Sequence, residues 1–241
     1  MGPEVHLPLA FLFVISVQTL SHPLIRSPHL LQVIRKILSL INTPYVVWFA
    51  LSWWAWPLVW DLYDNNRYYA EIMHLTGVLS VQLIVLTMAI TPLTLLLKRW
   101  EMGKTISRWL LKNRRYMGVA AFGYALLHLI FYIRETKYLI VMYLEFFDIE
   151  LLVGWLGFFL LIPAFLTSNH ASVRYLGSRW KSLQQLSYLA IIPLFTHWIL
   201  FDFFLDQVLL WLAIFVIAKA IHIGIKAVQN DWFKSRREKV I

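Results

Sequence analysis

The sequence contains no cysteine. Disulfide bonds, thiolate ligation of metals, iron–sulfur clusters and a cysteine nucleophile are therefore excluded. Glycine-rich phosphate-binding motifs of the GxGxxG and GxxxxGK(S/T) types are also absent, so no nucleotide-binding site is predicted. Any chemistry of this chain must come from other side chains.

Charged residues are also scarce. They make up 15% of the 241 residues, while 60% are hydrophobic and the mean hydropathy is +0.65; soluble domains average about 25% charged residues. Long apolar runs recur along the whole chain, which is typical of a polytopic membrane protein. We predict an all-α membrane helix bundle of about six transmembrane helices. The predicted spans are approximately Pro44–Trp60, Met73–Leu97, Tyr116–Ile133, Leu151–Leu166, Leu186–Phe201 and Val208–Ile225.

The connections between these spans alternate in charge. Basic residues collect before the first span, in the connections from the second span to the third and from the fourth to the fifth, and after the sixth. The connections 61–71, 134–150 and 202–207 hold few bases or are acidic. Because lysine and arginine favour the cytoplasmic side, both flanks of the six-helix core are predicted to be cytoplasmic. The net charge of +9 then reflects orientation and contact with anionic membrane lipids, and no nucleic-acid partner is predicted.

Three segments are expected along the chain: residues 1–42, an N-terminal apolar or interfacial segment with a basic flank; residues 43–228, a six-helix transmembrane domain; and residues 229–241, a basic cytoplasmic tail. Residues 7–20 are apolar but short for a span, and they lack the basic start and cleavage site of a signal peptide. We favour a segment lying on the membrane surface over residues 7–25. A re-entrant helix, or a tilted seventh span broken near Pro23, is the alternative.

Two histidines lie deep inside predicted spans. His128 is 12 residues beyond Tyr116, about 18 Å into the third span from the cytoplasmic side. His197 is similarly far along the fifth span, so both imidazoles are expected in the outer half of the membrane at similar height. A neutral imidazole is a common axial ligand of haem iron, and two of them on different helices suit a b-type haem. The alternative is that each histidine only forms a hydrogen bond to a neighbouring helix.

Small residues share a helix face with the first of these histidines. Gly118, Ala121, Ala125 and His128 are spaced by three, four and three residues, which places them on one side of the third span. Such a face predicts either a groove for a flat macrocycle or ordinary close packing of two helices, and the spacing does not distinguish them. A third histidine, His74, opens the second span near the outer surface.

Several segments resemble the MsrQ (YedZ) family, the haem-binding membrane subunit of the bacterial methionine sulfoxide reductase system, within the ferric-reductase-like transmembrane group. The matching segments are HLTG at 74–77, AITPLT at 89–94, RRYMGVAAFGYALLHLIFY at 114–132, LTS at 166–168 and LGSRWKSLQQLSYLA at 176–190. The resemblance covers roughly residues 74–202. The histidine that the family carries in its third helix falls on His128, and the outer histidine of its fifth helix falls on His197. The histidine that opens the family's second span falls on His74.

The resemblance implies a multi-pass protein of the bacterial inner membrane that binds haem b and transfers electrons. It implies His128 and His197 as iron ligands and His74 as a further cofactor-binding residue, in contact with a haem propionate or a quinone. The implied donor is a quinone or a cytoplasmic flavin reductase, with quinone or FMN as further cofactors. The implied acceptor is a periplasmic redox partner, a molybdenum-containing reductase, or another membrane redox complex.

One position departs from the family pattern. The family carries a second fifth-helix histidine thirteen residues before the outer one, where this chain has Gln184. Glutamine is a poor haem ligand, so one haem is predicted rather than two. The same departure favours an alternative function, a structural or assembly subunit of a larger membrane complex that has reduced or lost haem binding. A transporter is disfavoured, because no charged residue lies in the middle of a predicted span.

Overall fold

The computed structural model describes residues 28–40, 44–63, 69–136, 138–202 and 205–238. Within these residues the chain is almost entirely α-helical. The helices are α1 Pro28–Leu40, α2 Pro44–Ser52, α3 Ala55–Tyr63, α4 Tyr69–Leu97, α5 Glu101–Thr136, α6 Leu139–Glu145, α7 Ile149–Leu166, α8 His170–Leu176, α9 Arg179–Phe201 and α10 Leu205–Glu238. Residues 7–25, predicted to lie on the membrane surface, are outside the described ranges.

Five of these helices are long and apolar enough to cross a membrane. They are α4, α5, α7, α9 and α10, with mean hydropathies of 1.2 to 2.3 over their most apolar windows. They correspond to the second through sixth predicted spans. The prediction of an all-α membrane bundle is therefore confirmed.

The first predicted span, Pro44–Trp60, takes a different form. It is divided into two nine-residue helices, α2 and α3, with a turn at Trp53 and Trp54 between them. Pro57 lies in the first turn of α3, where its missing N–H costs no helical hydrogen bond, whereas in a continuous helix it would leave the carbonyl of Trp53 without its usual donor. Neither half is long enough to span a bilayer alone.

Helix α5 is longer than its predicted span. The connection predicted at Lys98–Arg115 is a tight turn at 98–100, after which α5 begins at Glu101 and runs for 36 residues. A helix of that length extends about 54 Å, well beyond a hydrocarbon core of about 30 Å. Its basic first part therefore continues the membrane helix on the side predicted to be cytoplasmic.

The long helices pack chiefly as two antiparallel pairs, α4 with α5 and α7 with α9, while α10 packs against α4. In the first pair the Ser80 hydroxyl donates to the Ala121 carbonyl (2.9 Å). The Arg114 guanidinium donates to the carbonyl of Thr87 (3.1 Å) and the hydroxyl of Thr91 (3.0 Å). These bonds fix the register of the pair.

The second pair is joined through the short helix α8, on the side predicted to be cytoplasmic. Asn169 accepts a hydrogen bond from the Ser172 N–H (2.7 Å) at the start of α8, and Gly177 ends that helix with a φ of 53°, a left-handed conformation suited to glycine. Helix α9 then returns beside α7, where the Trp180 indole donates to the Thr167 carbonyl (2.9 Å). The chain reversal places the C-terminal end of α9 beside the N-terminal end of α7, on the side predicted to be periplasmic.

Candidate functional site

His128 projects from α5 onto the backbone of α4. Its Nδ1 lies 2.7 Å from the carbonyl oxygen of Met73. Because a carbonyl only accepts hydrogen bonds, this contact requires the proton on Nδ1 and leaves Nε2 with its lone pair. An imidazole held in this way presents Nε2 as a ligand nitrogen.

His197 repeats the arrangement in the other helix pair. It projects from α9 onto α7, where its Nδ1 lies 2.7 Å from the carbonyl oxygen of Glu150. The same argument places the proton on Nδ1 and the lone pair on Nε2. Each of the two imidazoles is therefore fixed in the same tautomer by a backbone carbonyl of its partner helix.

The two imidazoles meet where the helix pairs join. Their ring centres are 6.0 Å apart and their planes are inclined at 86°. An imidazole nitrogen binds a transition metal at about 2.0–2.1 Å with the ring centre roughly 1.2 Å behind it, so two ligands on opposite sides of one metal have centres about 6.4 Å apart. The observed separation fits two axial ligands of a single iron.

The chemistry of the donor set also separates haem from other metal sites. Across the described residues there is no group of three or more His, Cys, Asp or Glu side chains placed to hold a metal ion. A structural or catalytic zinc site takes at least three protein ligands. Haem iron needs only one or two from the protein, because the macrocycle supplies the other four nitrogens. Two histidines alone therefore fit haem better than a bare metal ion.

His74 lies apart from this pair in its contacts. Its side chain is about half exposed, and its Nε2 is 3.7 Å from a carboxylate oxygen of Asp202. Asp202 ends α9 and accepts a hydrogen bond from the Trp198 indole (2.9 Å). The described structure thus brings together two of the three predicted site histidines and places the third at the outer edge of the bundle.

Gln184 lies toward the other end of α9. Its amide nitrogen donates to the carbonyl of Ala164 (2.8 Å) and to the hydroxyl of Thr167 (3.0 Å), both on the α7 side of the pair. The amide therefore connects two helices at the position where the resemblance implied a histidine.

The small-residue face of α5 packs against α4. A Cβ at Gly118 would be 3.7 Å from the Thr87 methyl group, and the neighbouring Ala121 is almost fully buried with its carbonyl bonded to Ser80. At Gly118 and Ala121 the face therefore packs closely against α4, which is one of the two alternatives that the spacing left open. His128, the last member of the series, takes part in the candidate site.

Sequence reasoning missed the groups that hold the two rings. The carbonyls of Met73 and Glu150 are backbone atoms, which no side-chain pattern reveals. Each ring also lies against a glycine of its partner helix, Gly77 or Gly154. The only available signal was that both glycines interrupt apolar stretches near the outer ends of spans.

Comparisons with known proteins agree with this architecture. Residues 76–195 match the family model described as the ferric reductase like transmembrane component. Proteins of Brucella ovis and Brucella canis, each named protein-methionine-sulfoxide reductase heme-binding subunit MsrQ, are 36% identical to this chain over 153 residues. The alignment covers 60% of this chain and 66% of each relative. No solved structure gives a significant match.

The helical bundle and the matched family model define a membrane protein with a ferric-reductase-like transmembrane domain. Within that class, the chain belongs to the MsrQ family. The matched segment contains His128, Gly154 and Gln184, and it ends two residues before His197. The resemblance predicted from the sequence segments is thereby confirmed.

Proposed function

We propose that this chain is a membrane electron-transfer subunit in which His128 and His197 hold one haem b as axial ligands. The observation that carries the proposal is the pair of Nδ1-bonded imidazoles with ring centres 6.0 Å apart. The relatives in Brucella are named as heme-binding subunits, which supports the same cofactor here. A b-type haem is favoured because covalent attachment of a c-type haem uses cysteines, and this chain has none.

Haem iron would supply one-electron redox chemistry at this site. The contribution of the chain is to bind, orient and shield. The Met73 and Glu150 carbonyls keep both rings in the tautomer that exposes Nε2, and their hydrogen bonds make the ligand nitrogens more basic. Stronger donation from the ligands favours ferric iron, so the two carbonyls would lower the reduction potential of a haem held by these histidines. Surrounding apolar helices limit the access of water to the site.

The predicted depth of the site supports one direction of electron flow. Both histidines are near the helix ends predicted to face the periplasm, and His74 with Asp202 lies beyond them at the outer edge. We therefore propose an inner-membrane protein that accepts electrons from a quinone or a cytoplasmic flavin reductase and delivers them to a periplasmic partner. The relatives are named as subunits of a protein-methionine-sulfoxide reductase, and the family resemblance implies a molybdenum-containing reductase, or another membrane redox complex, as that partner.

A single haem is proposed, since the position of a second fifth-helix ligand is occupied by Gln184. Its amide nitrogen is engaged by Ala164 and Thr167, and an amide nitrogen without a lone pair does not ligate iron. Quinone or FMN is the further cofactor that the family resemblance implies for the electron-donating step.

The test is a visible spectrum of the purified full chain before and after reduction with dithionite. We expect a low-spin b-type spectrum and about one haem per chain by pyridine haemochrome. His128→Ala and His197→Ala should each remove or strongly change the reduced α-band. His74→Ala should have a smaller effect, because His74 lies at the edge of the site.

His170→Ala provides a matched control, because His170 is exposed at the start of α8 on the inner side of the bundle. It should leave haem content and spectrum unchanged. If the ligand variants both resemble this control, the axial assignment is wrong. If the unmutated chain purified from haem-replete cells carries no haem, the alternative of a structural subunit takes its place.

A further inference from the structure

Both histidine rings occupy space that only glycine leaves open. A Cβ atom built on Gly77 would lie 2.9 Å from Nδ1 and 3.1 Å from Cε1 of His128. A Cβ atom built on Gly154 would lie 2.7 Å from Nδ1 and 2.8 Å from Cε1 of His197. Both distances to Nδ1 are below 3.0 Å, a separation that real Cβ atoms essentially never show, so each ring would have to shift if its glycine carried a side chain.

The spacing of the glycines explains why they matter for the hydrogen bonds. Gly77 lies four residues after Met73, and Gly154 lies four residues after Glu150, so each glycine is one turn beyond the carbonyl that its histidine contacts. In an α-helix, a side chain covers the surface of the turn that precedes it. A side chain at either glycine would therefore cover the carbonyl that the imidazole uses.

We propose that Gly77 and Gly154 are positioning residues of the haem site. Each one uncovers a backbone carbonyl of its helix, so that the axial histidine of the partner helix can donate Nδ1–H to it and direct Nε2 into the site. This inference rests on the proposed function and extends it, since it assigns residues that set the orientation and basicity of both ligands. The same arrangement occurs independently in α4 with α5 and in α7 with α9.

Another glycine of α7 shows what ordinary helix packing looks like at the same interface. A Cβ on Gly157 would lie 2.7 Å from the Leu194 side chain of α9, a contact as short as that between Gly154 and His197. Leu194 is apolar and precedes the histidine by three residues. Gly157→Ala therefore reproduces the steric change between the same two helices without touching an imidazole.

The experiment compares the variants Gly77→Ala, Gly154→Ala and Gly157→Ala in the haem-loaded full chain. We expect the first two to weaken haem retention about 10- to 100-fold, as loss of an outer-shell partner of a metal ligand does. In the haem that remains, the reduction potential should shift upward and the low-spin ferric EPR signal should change. Gly157→Ala should lower the stability of the bundle but leave the potential and EPR signal of its bound haem unchanged.

A double variant keeps the test decisive if a single variant fails to accumulate. Removing the ring relieves the clash, so Gly77→Ala combined with His128→Ala should accumulate as well as His128→Ala alone. If the double variant fails where His128→Ala accumulates, Gly77 serves general packing and the proposal is overturned. It is also overturned if Gly77→Ala and Gly154→Ala keep the potential and spectrum of Gly157→Ala. Absence of haem from the unmutated chain would instead refute the proposed function itself.

Discussion

Replacing Gln184 by alanine should weaken the bundle without changing its haem content. The amide of Gln184 makes two hydrogen bonds from α9 to α7, to the Ala164 carbonyl and the Thr167 hydroxyl. Interhelical hydrogen bonds in membrane proteins contribute about 0.6 kcal/mol each on average, so their loss should lower the free energy of unfolding by about 1 kcal/mol. Because the amide does not ligate iron, the ratio of about one haem per chain should not change.

The neighbouring residue offers a matched control. Gln185 is exposed on the same helix turn, so Gln185→Ala has the same change in helix propensity and composition but does not remove the bonds to α7. The assay is unfolding of the purified chain in mixed micelles by titration with a denaturing detergent, followed by tryptophan fluorescence, with pyridine haemochrome analysis of each sample. Only Gln184→Ala should shift the unfolding midpoint, and both variants should retain the unmutated haem ratio.

Two results would refute this reasoning. A haem ratio near two in the unmutated chain that falls to one in Gln184→Ala would show that this end of α9 supports a second haem. Equal unfolding midpoints for the two glutamine variants would show that the bonds from Gln184 do not stabilise the α7–α9 pair.

Two further predictions concern topology and ligand geometry. Because the chain has no cysteine, a thiol-reactive label that cannot cross the membrane reports the side of a single introduced cysteine without background. Lys104→Cys should be labelled only from the cytoplasmic side and Tyr143→Cys only from the periplasmic side. The reverse pattern would invert the proposed direction of electron flow. Since the planes of His128 and His197 are inclined at 86°, the ferric protein should give the highly anisotropic low-spin EPR signal of perpendicular axial imidazoles; a rhombic signal typical of parallel planes would contradict this geometry.

Residue counting was sufficient to predict that the two histidines lie at a similar depth, whereas their pairing in one site was implied by the family resemblance. Long apolar runs located five of the membrane helices, and the charges of their connections predicted the direction in which each helix crosses the membrane. The depths of His128 and His197 then followed from a rise of about 1.5 Å per residue. Their shared height is a property of the chain direction and of helix geometry, both of which are visible in sequence.

Features that depend on backbone atoms or on the partner helix were not predictable in the same way. The carbonyls of Met73 and Glu150 carry no side-chain signature, and a glycine in an apolar helix has many uses. The small-residue face at Gly118 and Ala121 was ambiguous because a groove and a close helix contact require the same residues. In the structure, α4 fills that face.

The first predicted span is divided for a reason that hydropathy averaged over many residues does not reveal. Residues 44–60 are apolar throughout, so their mean hydropathy indicates one membrane span. Pro57 lacks the N–H that a continuous helix needs at that position, and it lies in the first turn of the short helix α3, where that N–H is not needed. Proline alone does not force such a division, because Pro92, Pro163 and Pro193 lie inside helices that stay continuous.

The two-pair construction has a consequence for how the protein is assembled in the membrane. Helices α4 and α5 make most of their contacts with each other, as do α7 and α9, and contacts between the two pairs are far fewer. Each pair contributes one histidine and the backbone carbonyl that its Nδ1 contacts. If His128 and His197 hold one iron as we propose, that iron would join the two pairs, and we then expect the supply of haem to determine how firmly they associate.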